Sequence, residues 1–277
     1  SRIIAPIIRD GTACQPAESH PVYSGTKNNQ NRYLTHVEMH ALPTKKCLYF
    51  KYMQARLEDL PWNRQYCNQC ALPLPTINDQ QDVCGQCLSS SPFFSTTRTA
   101  FCYQFPINRL ITKFKDKQNP PMGKALGQLL AYSLSNDSSI QNNPPELIIP
   151  VPSHRKSINR RGYNPTQIIA KTLSNQLSIP SASNFISKRN HSEQQKALSA
   201  SERLINLANV FSITKTGASS LPNYYRVAIV DDVVTTGATA NTLSKLLLEA
   251  GVQDVIVWAL QGLRDFCDMI AIIIEAD

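Results

Sequence analysis

Val227-Ala228-Ile229-Val230-Asp231-Asp232-Val233-Val234-Thr235-Thr236-Gly237-Ala238-Thr239 is the stretch whose reading decides the fold. Its first four residues are wholly apolar, as expected of a strand in a parallel sheet covered by helices on both faces. Asp231 and Asp232 stand where that strand ends. Successive side chains of a strand point to opposite faces, so the two carboxylates serve one ligand only if the backbone turns there. Thr235-Thr236-Gly237-Ala238-Thr239 is expected to supply the turn. Gly237 allows close backbone approach, and hydroxyls and free amides gather where the next helix begins. Such a helix start is an anion site. Carboxylates beside a phosphate cradle suit a phosphorylated sugar, because acids accept from sugar hydroxyls while amides hold the phosphate.

Working outward, residues from Thr239 to Ala250 carry Leu243, Leu246, Leu247 and Leu248 and predict a helix, with Gly251 just past its end as a stop. Val255-Ile256-Val257-Trp258-Ala259-Leu260 predicts another buried strand. Strand, helix and strand in succession make a right-handed parallel crossover, and sites in such sheets lie at the carboxyl ends of the strands. Upstream, Leu147-Ile148-Ile149-Pro150-Val151-Pro152 predicts a short buried strand. Helical apolar spacing predicts helices over Ile107 to Phe114, Ala125 to Leu134 and residues 165–178. Residues 135–146 are expected to form a polar loop. The fold class is therefore α/β, a parallel sheet flanked by helices.

The cysteines define a second, smaller module. Cys67-Asn68-Gln69-Cys70 and Cys84-Gly85-Gln86-Cys87 are two Cys-x-x-Cys knuckles, joined by a segment rich in turn residues and poor in core formers. Zinc takes four thiolates in a tetrahedron, and each knuckle supplies two from one turn. A segment of this composition needs a metal to hold it together. Redox Cys-x-x-Cys motifs usually occur singly, and structural disulfides are rare in the cytosol, so a zinc-ribbon-like module with Cys67, Cys70, Cys84 and Cys87 as ligands is expected. Cys14, Cys47, Cys102 and Cys267 lack such spacing and read as small buried hydrophobes. His20, His36 and His40 are scattered and read as solvent-facing or core polar groups. The chain divides into a poorly assigned segment over 1–60, the zinc module over 61–90, the main domain over 91–264 and a tail over 265–277.

Composition narrows the class further. The 277 residues include 42% hydrophobic and 17% charged side chains, which excludes a disordered or fibrous protein. The longest apolar run, Met269 to Ile274, is far short of the roughly 20 residues of a spanning helix. With no leader pattern at the start, a cytoplasmic protein is expected. The net charge of +8 is unevenly spread, with ten Lys/Arg against two acids over residues 151–215 and three against eight over 216–277. Overall basicity hints only weakly at nucleic acid. A basic segment followed by an acidic one fits a ligand with phosphates at one end and a metal or sugar at the other.

The Asp231–Thr239 segment resembles the phosphoribosyl diphosphate (PRPP) signature of type I phosphoribosyltransferases. Pro150-Val151-Pro152-Ser153-His154-Arg155, Arg160-Arg161-Gly162-Tyr163-Asn164-Pro165-Thr166-Gln167, Gln194-Gln195 and Arg203-Leu204-Ile205-Asn206 before Phe211 narrow the likeness to the ComF/GntX family, over about residues 59–264. In that family a cysteine zinc module precedes a phosphoribosyltransferase domain. The resemblance implies that Asp231 and Asp232 bind the ribose hydroxyls, directly or through hydrated magnesium, and that Thr235, Thr236, Gly237, Ala238 and Thr239 hold the 5′-phosphate. It implies a diphosphate loop at Ser153, His154 and Arg155, with Arg160 and Arg161 adding charge or facing solvent or a partner. It also implies a mobile loop over residues 188–203 that offers Lys188, Arg189 and Lys196. The Gly162-Tyr163-Asn164 turn reads as structural. The cofactors implied are Mg2+, carried with PRPP, and a structural Zn2+. No catalytic base can be assigned, because an acid of purine-salvage relatives is replaced here by Thr235. Family members are associated with DNA uptake and utilisation, so the resemblance implies a role in DNA uptake or in nucleotide metabolism. Two readings stay open: phosphoribosyl transfer to an acceptor, or a PRPP-sensing or scaffold module that engages single-stranded DNA or a DNA-uptake protein.

Overall fold

A computed structural model describes residues 57–74, 83–116, 119–188 and 210–262. All of them belong to one unit of the chain, Leu42–Asp277. The expectations for Cys14, Cys47 and Cys267, the three histidines, Arg189, Lys196 and the tail lie outside the described residues.

Four strands form the central sheet: β1 (Thr96–Phe101), β2 (Leu147–Pro150), β5 (Arg226–Val233) and β6 (Asp254–Gln261). Their order is β1-β6-β5-β2, and every pairing is parallel. Two short strands, β3 (Ile186–Lys188) and β4 (Phe211–Ile213), pair antiparallel beside it. All of β2 and the apolar run of β5 are buried, and so is β6 beyond Asp254. This is why their sequences read as continuous apolar runs rather than alternating ones.

Helices cover both faces. On one lie α2 (Ile107–Asp116), α3 (Pro120–Ser135) and α6 (Pro165–Leu177), whose Leu110, Ile111, Phe114, Leu126, Leu130, Ile169 and Leu173 pack on Ile148, Ala228, Val230, Ile256 and Trp258. On the other, Leu243 and Leu247 of α8 (Ala238–Glu249) pack with Leu147, Ile149, Val227, Ile229 and Val255. Ile186 and Phe211 from the β3–β4 ribbon, with Phe185 just before it, complete that second core. Even and odd positions of β5 thus feed different cores, as the two-residue period of a strand requires. Gly123 of α3 is where the first core needs a glycine. A Cβ there would clash with the Phe114 ring.

The remaining helices are short: α1 (Gly85–Ser89), α4 (Ser138–Asn142), α5 (Arg155–Arg161) and α7 (Lys215–Ser220). Residues 135–146 are not wholly loop, because α4 lies within them. Asp137 caps that helix by accepting from Ser139 N–H, and Ile140 anchors it in the core. A single buried apolar residue in five is too little for a periodic signal.

The cysteine module is laid along the outer edge of β1. Asn63 N–H donates to Ala100 C=O (3.0 Å), Cys102 N–H donates to Pro61 C=O (2.8 Å), and Trp62 bridges Phe101 antiparallel. The buried Asn63 amide donates to Ala71 C=O (2.9 Å) and Thr99 Oγ1 (2.8 Å), tying the first knuckle to the strand. An open strand edge would offer unpaired backbone groups to other chains; here the module occupies it.

Candidate metal centre and phosphate site

The four knuckle cysteines converge. Their Sγ atoms all lie within 4.8 Å of one another, and Cys70 and Cys84 are 3.7 Å apart. A tetrahedron with Zn–S bonds of about 2.3 Å has edges of about 3.8 Å, so the donor set fits such an ion. The first knuckle folds back on itself. Ala71 N–H donates to Cys67 C=O and Cys67 N–H to Leu72 C=O (2.8 Å each), with Ala71 in the left-handed region at φ 61°. The second opens α1, and Cys84 N–H points to Cys67 Sγ at 3.2 Å. Burial pushes the Cys87 thiol up to about 12, and the neighbouring thiols add to the cost of a second negative charge. Burial raises the Cys67 thiol too, but hydrogen bonds from Cys84 N–H and from its own knuckle bring it below the ordinary thiol value. The thiolates of such a cluster are what a bound cation stabilises. Cys102 lies apart from this cluster and is half-buried.

The acid pair sits on β5. The backbone stays extended through Asp231 and Asp232 to Val233, so the expected turn comes later than the acids, and the two side chains diverge. Asp232 faces the first core's side and pairs with Lys115 of α2, Nζ to Oδ1 at 2.9 Å. Asp231 is felt by Lys188 of β3 on the opposite side. Asp232 N–H donates to Asp231 Oδ1 (2.8 Å). Burial, and after it the neighbouring Asp232 charge, raise the Asp231 carboxyl to about 7, against the pull of Lys115 and Lys188. Lys188 is itself lowered by burial and sits 5.3 Å from the centre of the Phe211 ring. A ligand that donates hydrogen bonds to both acids must therefore lie across the end of the strand.

Two loops flank this strand end. After β5, Val234 N–H is tied to Gln261 C=O (3.0 Å), and the exposed Thr235 and Thr236 follow. Gly237 then caps α8 in the left-handed region at φ 71°. Only glycine reaches that conformation without strain. Phe94 is buried against Val234, Ala240, Val257 and Ala259, and Phe93 N–H donates to Asn241 Oδ1 at 2.6 Å. The segment leaving the cysteine module thereby backs the loop. A small cavity of about 190 Å³ separates Cys70 and Cys87 from Thr236 and Gly237.

After β2, the second loop leaves beside Asp231, since Pro150 pairs with Val230 and Val151 N–H donates to Val230 C=O (2.9 Å). This loop is held from behind. Asn164 Nδ2 donates to Val151 C=O (3.2 Å), and Asn164 Oδ1 accepts from Ser153 Oγ (2.7 Å). The buried Thr166 hydroxyl lies 2.6 Å from the same Val151 carbonyl. His154 caps α5 by accepting from Lys156 N–H at Nδ1 (3.1 Å). Arg155 and Arg160 are exposed on that helix, and Arg161 is half-buried. The Gly162–Asn164 turn is structural, as expected from the sequence: Gly162 ends α5 at φ 78° and Asn164 fixes the loop.

Asp231, Asp232, the 235–239 loop, the 153–155 loop and Lys188 thus share one end of the sheet. Lys115 belongs with them and was not expected from the sequence. Its only local mark is a position near the end of an amphipathic helix rich in lysine.

No family model matches the chain. Among curated proteins it is 36% identical to Competence protein F of Haemophilus influenzae over 196 residues, 70% of this chain and 83% of that protein. It is 32% identical to the DNA utilization protein YhgH of Escherichia coli O157:H7 over 200 residues, 72% of this chain and 84% of that one. Among solved structures, the glutamine PRPP amidotransferase of B. subtilis, complexed with ADP and GMP, aligns at 19% identity and a TM-score of 0.35, over 50% of this chain and 26% of that one. At the first two levels of identity and coverage the assignment is direct: the chain belongs to the family of Competence protein F and the DNA utilization protein YhgH.

Proposed function

We propose that this chain binds magnesium-bound PRPP at the carboxyl end of its sheet and uses that site in the uptake or utilisation of DNA. The observation that carries the ligand is the Asp231–Asp232 pair at the end of a buried central strand, running into a glycine-capped loop and helix. The names of the relatives support the biological setting. In this reading, Asp231 and Asp232 accept from the ribose hydroxyls, and the 235–239 loop holds the 5′-phosphate through amides of the first turn of α8. Amides of the Ser153–Arg155 loop, with Lys188, Arg160 and Arg161, face the diphosphate. Arg189 and Lys196 remain candidates for the same role.

Asp232 and the diphosphate would hold the magnesium, which supplies Lewis-acid neutralisation of the leaving diphosphate. The rest is done by the chain. Its amides and ammonium groups hold the diphosphate where negative charge grows as the anomeric bond breaks. Cys67, Cys70, Cys84 and Cys87 would hold one structural zinc.

One observation favours a sensor or scaffold over a transferase. Among the described residues, the carboxylates at this strand end are Asp231 and Asp232, each facing a lysine, and Thr235 and Thr236 follow where an acceptor's proton would need a base. A PRPP-loaded module that presents single-stranded DNA or a DNA-uptake protein with its surface is consistent with that.

Calorimetric titration of magnesium-PRPP tests the site. Micromolar binding to the wild type, abolished in Asp231→Asn/Asp232→Asn, is the expected result. A folded, zinc-loaded protein that binds no PRPP would refute it, and the search would pass to DNA and partner proteins.

A further inference from the structure

We propose that Lys115 is the residue by which this site distinguishes a sugar that carries an anomeric diphosphate from one that does not, and that Tyr163 is the residue that positions it. The inference rests on the reading of the strand end as a PRPP site.

Lys115 comes from α2, whose buried face, Ile107, Leu110, Ile111 and Phe114, is fixed in the first core. Its ammonium reaches Asp232 at 2.9 Å, with the lysine 28% and the aspartate 14% exposed. An ammonium has three donors, so one contact with Asp232 leaves two for other oxygens. The pair is only partly screened by water.

The end of α2 is locked in place. Tyr163 Oη donates to the Phe114 carbonyl, one residue before Lys115, and the two rings stack with centroids 5.7 Å apart. Phe114 in turn is seated on Gly123. Tyr163 adjoins Asn164, whose amide holds Val151 and Ser153 in the loop after β2. One short turn therefore fixes both the helix end that carries Lys115 and the loop that faces the diphosphate. Lys115 meets Asp232 on the face of the sheet that α2 covers, whereas the 235–239 loop leads into α8 on the opposite face. A phosphate bound at 235–239 gains little from it. A second phosphate group at the anomeric carbon would meet it directly. Lysine suits this task as a compact point charge.

The alternative is an ion pair that merely stabilises the fold, and such pairs are worth little when partly exposed. Ligand discrimination separates the two roles. Magnesium-PRPP and ribose 5-phosphate would be titrated calorimetrically into the wild-type protein and into Lys115→Met, Lys115→Arg and Tyr163→Phe, with thermal melts of each. Lys115→Met is expected to weaken PRPP at least tenfold and ribose 5-phosphate less than threefold. Lys115→Arg should recover most of the loss, and Tyr163→Phe should lower PRPP affinity several-fold with ribose 5-phosphate unaffected. Equal losses for the two ligands, or unchanged or tighter PRPP binding in Lys115→Met, would overturn the proposal. If Lys115→Met fails to fold, unchanged discrimination in Tyr163→Phe overturns it. A wild type that binds neither ligand would refute the site itself, an outcome distinct from either.

Discussion

Replacing Asp231 by asparagine should make the protein more stable at alkaline pH while destroying the site. The Asp231 carboxyl is raised from 3.8 to about 7, first by burial and then by the adjacent Asp232 charge. An acid raised in the folded state binds more protons folded than unfolded, so stability falls as pH rises between about 4 and 7 and is level above that. Three units at about 1.4 kcal/mol each set a ceiling of roughly 4 kcal/mol for the cost of the charged form. The pull of Lys115 and Lys188 is already contained in that shift. Asp231 is only half-buried, so water screens part of the cost, which leaves a gain of about 2 kcal/mol for Asp231→Asn at pH 8. The asparagine carbonyl can still accept from Asp232 N–H, so the strand end should keep its geometry. For a chain of this size the gain is a rise in Tm of about 4–8 °C. Calorimetric melts of both proteins from pH 4.5 to 8.5 are the assay. The curves should lie closest at pH 4.5 and separate with rising pH up to about 7, and magnesium-PRPP binding should be lost in the variant. A variant no more stable than the wild type at pH 8, or a gap that does not change with pH, would refute the reasoning.

Three further outcomes are expected. Cys84→Ser should lower bound metal below one ion per chain, read by elemental analysis, and melt well below the wild type, since binding energy in such modules is folding energy. Gly237→Ala imposes a left-handed conformation on a side chain at a cost of about 1–2 kcal/mol; denaturant melts should show that loss, and PRPP affinity should fall with it. Phe94→Ala, which removes a ring buried against Val234 and Ala240, should cost about 3–5 kcal/mol in the same melts. It should also loosen the 235–239 loop enough to weaken PRPP.

Much of this architecture is legible because the sheet is parallel and covered. The apolar runs at 147–150, 227–230 and 255–260 can only be strands buried on both faces, and the leucines of 239–250 can only be a helix packed on them. The Cys-x-x-Cys spacing is equally direct, because the ligands of each knuckle are local. β1 is not legible, as Thr96-Thr97-Arg98-Thr99-Ala100-Phe101 looks too polar for a sheet strand. Three of its four polar residues find partners distant in sequence, Thr96 Oγ1 donating to Asn68 C=O, Arg98 Nε bonding Asp137 at 2.6 Å and Thr99 Oγ1 accepting from Asn63, while the buried Thr97 hydroxyl has none among the described residues. α5 is missed for a related reason, having no buried residue and so no period. Lys115 shows the limit most clearly. Its meaning lies in meeting Asp232 across the sheet end, and nothing in the run Lys113-Phe114-Lys115-Asp116 records that meeting. The divergence of Asp231 and Asp232 follows from the strand period. The length of the strand beyond them is set by pairing with Gln261, which is again non-local.

A crystal structure grown with Mg2+ and PRPP tests the central claim most directly. The account predicts ligand density across the end of β5, with ribose hydroxyls on Asp231 and Asp232, the 5′-phosphate on residues 235–239 and the diphosphate against the Ser153–Arg155 loop and Lys115. Density at another place on the chain, or a strand end free of ligand in crystals that hold PRPP elsewhere, would contradict it.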